Sequence, residues 1–502
     1  KENILIYGDY DADGLTGTAL LHEVIRKYTD RVYWYIPNRI NEGYGLNKDA
    51  MYQAKQDKIN LIVTVDCGIT ACAEAELAKE LGIDLVISDH HALSDTGNLP
   101  TVQAILHSGL PDATYPFRYL AGVGVAYKLA QAISATIEKH KSAQLELLEY
   151  LDFVAIGTIC DVVPLVDENR ILTKFGLQTL SKTTRPGLQA LMTIAGIGNK
   201  KIDNSQVAFM LGPRLNAAGR MGYADIALKL LLTQNADEAE FLAKKLDEFN
   251  KQRQQIELDI LSAAEDQIQT NCDLVQNQAI VLANETWHQG VLGVVAGKLA
   301  EKYHRPVVLF TSNQNEWCGS ARGIGRNSAE FDLMQVLSRC QEMLLSYGGH
   351  WKAAGISLSR NSFPGFQKQF CDIATEMLSE TTITPSIFID AELPIPKLTV
   401  TMIKEDLTRL EPYGADNPEP TFMTQNLILI DQPRLMKEKH LKLRFNSPEN
   451  IKISAMGYNW VNKHNEFPTY GETYEVAFFP KLNYYQGMES IELQIKDLKK
   501  KS

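Results

Sequence analysis

The chain has 502 residues, 45% hydrophobic and 22% charged, an ordinary globular composition whose length predicts about three domains. Its 50 basic and 61 acidic side chains give a net charge of −11, which disfavours a general nucleic-acid coat protein, and no uncharged apolar run approaches the ~20 residues that span a bilayer. Seven cysteines without a CxxC pair indicate neither a disulfide framework nor a zinc knuckle, and a reducing cytoplasm is the expected setting.

The sequence opens on Lys1 and enters a strand pattern at once, so trimming ahead of it is expected. Over roughly the first 185 residues, short apolar runs alternate with helical patterns. Ile4-Leu5-Ile6-Tyr7 predicts a strand and Thr16 to Lys27 a helix; Leu61 to Val65 and Leu85 to Ser88 predict further strands, with a helical stretch to Glu80 between them. These runs do not alternate apolar with polar, which suits strands buried on both faces of a parallel sheet in an open α/β fold. Asn235-Ala236-Asp237-Glu238 then reads as a capping box. Leu242, Leu246, Phe249, Ile256 and Ile260 recur at helical spacing behind it, predicting one helix roughly 50 Å long. Its single apolar stripe fits a connector between domains or, equally, a long surface helix packed on one of them. Residues 276–383 return to α/β character, with strands at Ala279–Leu282 and Pro306–Phe310. Residues 384–502 hold short β-like runs and turn signals, which suit a small barrel or sandwich.

Acidic residues follow the apolar runs of the first domain. Asp9, Asp11 and Asp13 follow the first, Asp66 the second, and Asp89 with His90 and His91 the third. Asp161 follows the run 153–160, read here as another strand. In an open parallel sheet the carboxyl ends of the strands form the ligand crevice, so four loops should bring these aspartates and histidines together. That much negative charge cannot stay ionised at close range without cations. Hard carboxylates with imidazole suit Mg²⁺ or Mn²⁺, and two such ions about 3.5–4 Å apart would hold the attacking and leaving oxygens of a phosphoryl displacement. Two plainer readings compete. Asp9 to Gly14 matches the start of an EF-hand loop, but the twelfth position is Leu20, not Glu. Asp66 or Asp161, taken singly, is most simply a helix N-cap.

DYDADG from Asp9, VDCGIT from Val65, SDHH from Ser88 and CDVVPL from Cys160 resemble the motif set of the DHH phosphoesterase superfamily. Their order and spacing resemble its RecJ family of single-strand-specific 5′→3′ DNA exonucleases. Further similarity lies in Pro213-Arg214-Leu215-Asn216-Ala217-Ala218-Gly219-Arg220, in Trp287 to Gly293, in Tyr347-Gly348-Gly349-His350, and in Leu410 to Gly414 with Asn417 to Pro420. The resemblance implies a DHH parallel-sheet domain (1–234), a long connecting helix (235–275), a DHHA1 α/β substrate-binding domain (276–383) and a C-terminal OB-fold β-barrel (384–502). It implies two divalent cations, Mn²⁺ or Mg²⁺, held by Asp9, Asp11, Asp13, Asp66, His90 and Asp161, with Asp66 bridging. His91 would face the scissile phosphate as charge stabiliser or proton donor, Asp89 would orient a histidine, and a metal-activated water would attack. The activity implied is release of 5′-mononucleotides from single-stranded DNA in recombination and repair, by a cytoplasmic monomer with helicase and single-strand-binding-protein partners and no membrane. The nearest rival is a DHH phosphodiesterase for short oligonucleotides or cyclic dinucleotides; relatives of that kind generally lack the long connector and barrel. A non-catalytic binding scaffold is disfavoured by the intact acidic motifs.

The same resemblance points to the substrate contacts. Gly348 and Gly349 would let backbone N–H groups approach a phosphate, with His350 and Lys352 beside them. Arg322, next to Ser320, and Arg214 and Arg220 would add bidentate phosphate contacts, although each arginine alone could as well be a structural ion pair. In Lys439 to Phe445, His440, Lys442 and Arg444 share one strand face and Leu441, Leu443 and Phe445 the other. With Lys439 and Arg434 they predict a basic barrel surface for single strands. Tyr484-Tyr485 is a weaker candidate for a stacking platform.

Overall fold

Five strands, β1 (Ile4–Tyr7), β2 (Val32–Tyr35), β3 (Leu61–Thr64), β4 (Asp84–Ser88) and β5 (Ala104–Leu106), pair in parallel in the order β2-β1-β3-β4-β5. The computed structural model in which they are seen describes residues 2–93, 97–138, 147–198, 201–271, 277–313, 315–325, 328, 330–379, 386–463, 467–485 and 488–501. Successive strand residues point to opposite faces, so Ile6 and Val63 enter one apolar core while Leu5, Tyr7 and Ile62 enter another. Helices α1 (Ala12–Arg26) and α4 (Gly122–Glu138) cover the first face, and α2 (Lys48–Gln56) and α3 (Cys72–Glu80) cover the second. Burial on both faces explains the unbroken apolar runs. The strand order reverses between β1 and β3, which opens a crevice beyond their carboxyl ends.

One expectation fails here. The apolar run ahead of Asp161 is not a strand but a helix, α5 (Leu151–Cys160). Nine of its ten residues are buried, so it shows no polar face to betray its period, and periodicity cannot separate such a helix from a core strand. Asp161 still reaches the crevice, from the C-cap of α5. Helices α6 (Asp167–Leu180), α7 (Pro186–Ile194), α8 (Gly212–Arg220) and α9 (Ala224–Leu232) follow, a short helical turn (Asn204–Gln206) and a π-helix (Val207–Leu211) leading into α8.

The predicted long helix is α10 (Ala236–Asn271). Asn235 caps it, its side chain accepting from the N–H groups of Asp237 (2.9 Å) and Glu238 (3.1 Å). The reciprocal half of a capping box is replaced, because Glu238 binds the Thr233 hydroxyl and the Asn235 N–H donates to Thr233. Ala239, Leu242, Ala243 and Leu246 belong to the core of the parallel-sheet domain, whereas Ile260, Ala264 and Ile268 belong to a core shared with the next sheet. The helix therefore joins two cores, which decides between the two readings of its apolar stripe.

The next sheet runs β6-β7-β8-β10-β9, from β6 (Ile280–Ala283), β7 (Val307–Asn313), β8 (Glu316–Arg322), β9 (Leu344–His350) and β10 (Ala353–Ser359). Only β6 and β7 pair in parallel, across helix α11 (Gln289–Tyr303). Helix α12 (Phe363–Ser379) contributes Phe366 and Phe370 to its other face.

Residues 384–502 form a separate unit. Its sheet orders β11 (Ala391–Glu392), β12 (Phe422–Leu429), β16 (Thr473–Tyr485), β17 (Met488–Lys500), β15 (Lys452–Gly457), β14 (His440–Asn446) and β13 (Arg434–Met436). A further β12–β14 pairing closes five of them into a barrel, with β15 and β17 parallel. This is the connectivity of an OB-fold. Leu441, Leu443 and Phe445 point into its core, and Lys442 and Arg444 point out.

Candidate metal centre and cleft

The first turn of α1 shows how the sequence builds the centre. Asp11 is the N-cap, accepting from the N–H groups of Asp13 (2.9 Å) and Gly14 (3.1 Å). The capping role weighed for Asp66 or Asp161 thus falls to Asp11. The Asn216 side chain, from the Arg214–Arg220 motif, accepts from the Ala12 N–H at 2.7 Å and buttresses this loop. Asp13 is wholly buried and takes the Gly122 and Val123 N–H groups at the start of α4, at 2.7 and 2.8 Å. Asp66 sits at φ 63°, a left-handed backbone unusual for aspartate, and Val162 after Asp161 is at φ 62°.

These loops converge. His90 Nε2 lies 3.0 Å from Asp66 Oδ1, 3.5 Å from Asp161 Oδ2 and 3.7 Å from Asp13 Oδ2. Three groupings bring ligand atoms within 4.8 Å of one another: Asp9, Asp11 and Asp66; Asp13, His90 and Asp161; and Asp66, His90 and His91. Asp9 Oδ1, Asp66 Oδ1 and His90 Nε2 are buried without a hydrogen-bond partner. Buried polar atoms are normally paired, so three unpaired ligating atoms aimed at one another fit divalent cations. Burial and then neighbouring carboxylates push Asp9, Asp13 and Asp66 well above the usual carboxylate range, and Asp161 up to about 7. Burial and the neighbouring His91 hold His90 down to about 3, which leaves a neutral imidazole with a free lone pair.

His91 has a different environment. Its Nδ1 lies 2.8 Å from Asp89 Oδ1. Burial opposes its charge, but this bond, the Asp89 charge and the nearby aspartates raise it to about 9. Asp89 is fully buried, yet hydrogen bonds from His91 and from the Ile69 and His91 N–H groups bring it down to about 2. Asp89 therefore orients His91. His107 supports the same loop: its Nδ1 accepts from the Gly109 N–H, so Nε2 donates to the His91 carbonyl at 2.8 Å.

A cationic cluster lies beside the acidic one. Burial, then Arg39, Arg253 and Arg322, lower Arg220 to about 9, and burial with Arg39 lowers Arg322. Arg220 donates to the Gly290 carbonyl at 3.1 Å, and Arg322 to Ser320 Oγ at 3.2 Å. His350 is held down by burial and by the nearby charges of Arg322, Lys352 and His91. Arg214 is committed elsewhere, to Asp247 of α10 at 2.9 Å and the Met210 carbonyl at 2.7 Å. Gly348 and Gly349 lie on the edge strand β9, paired with Gly355 and Ala354 of β10. Lys439, Lys442 and Arg444 belong to the other unit, on the β13–β14 face of the barrel. Tyr484, on β16, is exposed; the Tyr485 side chain lies outside the described residues.

Arg39, Tyr44, His107 and Arg253 were not foreseen. Arg39 stacks over the Tyr10 ring at 4.9 Å, Tyr10 meets Tyr44 edge-on, and Tyr44 reaches His91. Only the Gly43-Tyr44-Gly45 turn signal marked this loop in the sequence.

A doubly wound carboxylate–histidine domain joined to a smaller α/β domain is the architecture of DHH phosphoesterases. Family models match accordingly: "DHH family, N-terminal domain" over residues 3–158, "DHHA1 domain" over 276–376 and "RecJ OB domain" over 389–497. The single-stranded-DNA-specific exonuclease RecJ of Escherichia coli is 36% identical, over 88% of this chain and 77% of its own length. That of Bacillus subtilis is 37% identical over 99% of this chain, which spans 61% of that protein. The crystal structure of RecJ from Thermus thermophilus in complex with Mn²⁺ superposes with a TM-score of 0.82 at 30% identity, covering all of this chain and 69% of that one. The same protein in complex with Mg²⁺ gives 0.76. The chain belongs to the RecJ family.

Proposed function

We propose that this chain is a metal-dependent exonuclease that degrades single-stranded DNA from its 5′ end and releases 5′-mononucleotides. The observation that carries this reading is the closeness of an acidic ligand nest with unpaired ligating atoms to a half-buried arginine cluster. The first suits divalent cations and the second suits phosphodiester oxygens. Asp9, Asp11, Asp13, Asp66, His90 and Asp161 would hold two ions, Mn²⁺ or Mg²⁺, Asp66 and His90 each belonging to two of the ligand groupings. Bound there, the ions supply Lewis-acid activation for phosphodiester hydrolysis. Arg220 and Arg322, with Ser320, His350 and Lys352, hold the phosphates. Asp89 fixes His91 so that its Nε2 faces the leaving oxygen as proton donor.

The domain roles follow the same reading: 1–234 for catalysis, 235–275 as connector, 276–383 for substrate phosphates and 384–502 for the single strand. Membership in the family supports a role in recombination and repair, in the cytoplasm, beside a helicase and a single-strand-binding protein. Among the described residues no helix is long and apolar enough to cross a membrane.

The test incubates end-labelled single strands, duplexes and dinucleotides with Mn²⁺ or Mg²⁺, using the unmodified chain and Asp66→Ala. The expected result is 5′-end degradation of single strands, absent in the variant. Cleavage of dinucleotides alone would favour the short-oligonucleotide phosphodiesterase, and binding without cleavage in either metal would overturn the enzymatic reading.

A further inference from the structure

Tyr44 stands out because its two ends live in different environments. The side chain is 48% exposed, yet its hydroxyl lies 3.0 Å from the Asp66 carbonyl oxygen, 3.0 Å from His91 Nδ1 and 3.3 Å from His91 Nε2. A phenol has one proton to give. The carbonyl can only accept, so that proton goes to Asp66, and the phenol oxygen accepts from the nearer His91 nitrogen, Nδ1, sharing that N–H with Asp89 and leaving the Nε2–H free. Asp89 grips the same ring at Nδ1. The pose of His91 is therefore fixed by a carboxylate and a phenol together.

The loop around Tyr44 is built to deliver that hydroxyl. Gly43 and Gly45 take φ 82° and 84°, a backbone that any side chain would strain, and they turn Tyr44 back toward the crevice. Tyr7 of β1 donates to the Gly45 carbonyl at 2.9 Å, and Asn47 donates to the Tyr7 hydroxyl at 3.1 Å. On the other side Glu42 accepts from Asn38 N–H, Asn47 and Tyr35 of β2. The floor of the sheet thus anchors both flanks of one tyrosine whose hydroxyl touches a candidate metal ligand and the candidate proton donor.

We infer that Tyr44 is a positioning residue for departure of the leaving group: it holds His91 so that Nε2 meets the 3′-oxygen as the phosphodiester breaks. In that step the water oxygen bonds to phosphorus, the P–O3′ bond breaks with its electron pair on O3′, and the His91 proton lands there. The proton lost by the water goes to solvent. This inference rests on the reading of His91 as proton donor.

A leaving group that needs no proton separates positioning from simple structural support. Wild type, Tyr44→Phe, His91→Ala and the double variant would be assayed on a 5′-phosphorylated single-stranded oligonucleotide and on thymidine 5′-(4-nitrophenyl phosphate), which leaves as nitrophenolate. On the oligonucleotide, Tyr44→Phe should lower kcat about 10–100-fold with KM within about twofold, part of the 10²–10⁴ range for general acid catalysis. On the nitrophenyl ester the deficit should shrink at least tenfold, and the double variant should be no slower than His91→Ala. Equal loss on both substrates, or multiplying losses in the double variant, would overturn the role of Tyr44. A His91→Ala deficit that does not shrink on the ester would overturn the proton-donor reading beneath it.

Discussion

A methyl group at Gly122 would stand 2.6 Å from Asp66 Oδ1, and one at Gly157 would stand 2.7 Å from Asp13 Oδ1. Both glycines lie in helices, so space and not backbone freedom demands them. Gly122→Ala should displace the Asp66 carboxylate and cut Mn²⁺-dependent activity at least about 100-fold, by the sensitivity of reacting geometry to ~1 Å shifts; calorimetric Mn²⁺ titration should show weakened binding in parallel. The raised carboxyls make a second prediction. Asp161 holds its proton to about pH 7, against about 3.9 in an unfolded chain. The metal-free protein therefore enjoys the full benefit of that bound proton below about pH 4 and loses it as pH climbs through 7. Cations that neutralise the site work in the opposite direction. The Tm in EDTA should fall between pH 5.5 and 8, and the stabilisation by Mn²⁺ should grow over the same interval. A Mn²⁺ shift equal at both pH values would contradict this coupling. The ligands themselves were legible because DYDADG and SDHH place them within a few residues of strand ends. Tyr44, Arg39 and His107 were not, because their meaning lies in contacts across tens of residues.

At the scale of elements, α5 and α10 show opposite limits of reading. The run 151–160 is buried nearly all round, so its ten-residue length was the main hint of a helix. In α10 the stripe was plain, but a stripe does not say how many cores it enters. The described residues show what ties its halves. Arg214 and Lys251 hold Asp247, and buried Glu257 takes Arg253 on one side and Lys298 of α11 on the other. Removing Glu257 leaves the half-buried Arg253 with only Asn250, so Glu257→Ala should cost about 2 kcal/mol in chemical denaturation, within the range for lost hydrogen bonds to charged groups. Lys244 and Glu240 on the exposed face form an i,i+4 pair, and Glu240→Ala should leave the midpoint unmoved.

For the whole molecule, charge location matters more than net charge. Residues 384–502 carry 15 basic and 16 acidic side chains, so the barrel is nearly neutral while the remaining chain carries almost all of the −11. On the proposed function, attraction for DNA would accordingly be local. The barrel unit has its own closed sheet and core, so residues 384–502 expressed alone should fold and bind single strands. Lys442→Ala and Arg444→Ala should each weaken that binding and reduce the salt slope by about 1, as measured by fluorescence anisotropy against log salt. Unchanged slopes would move the contact surface off this face.

The long helix has one more consequence. Its first half is fixed in one core and its second half in another, with continuous hydrogen-bonded backbone between them. Widening the gap between the two α/β domains would mean bending or breaking that backbone, and sharp helix bends need a proline, a bulge or an inserted group. No proline occurs between Ala236 and Asn271. The helix acts as the fixed arm of a caliper. On the proposed function, discrimination between one strand and two would then be a matter of gauge, set when the chain folds, rather than of a jaw closing on its substrate.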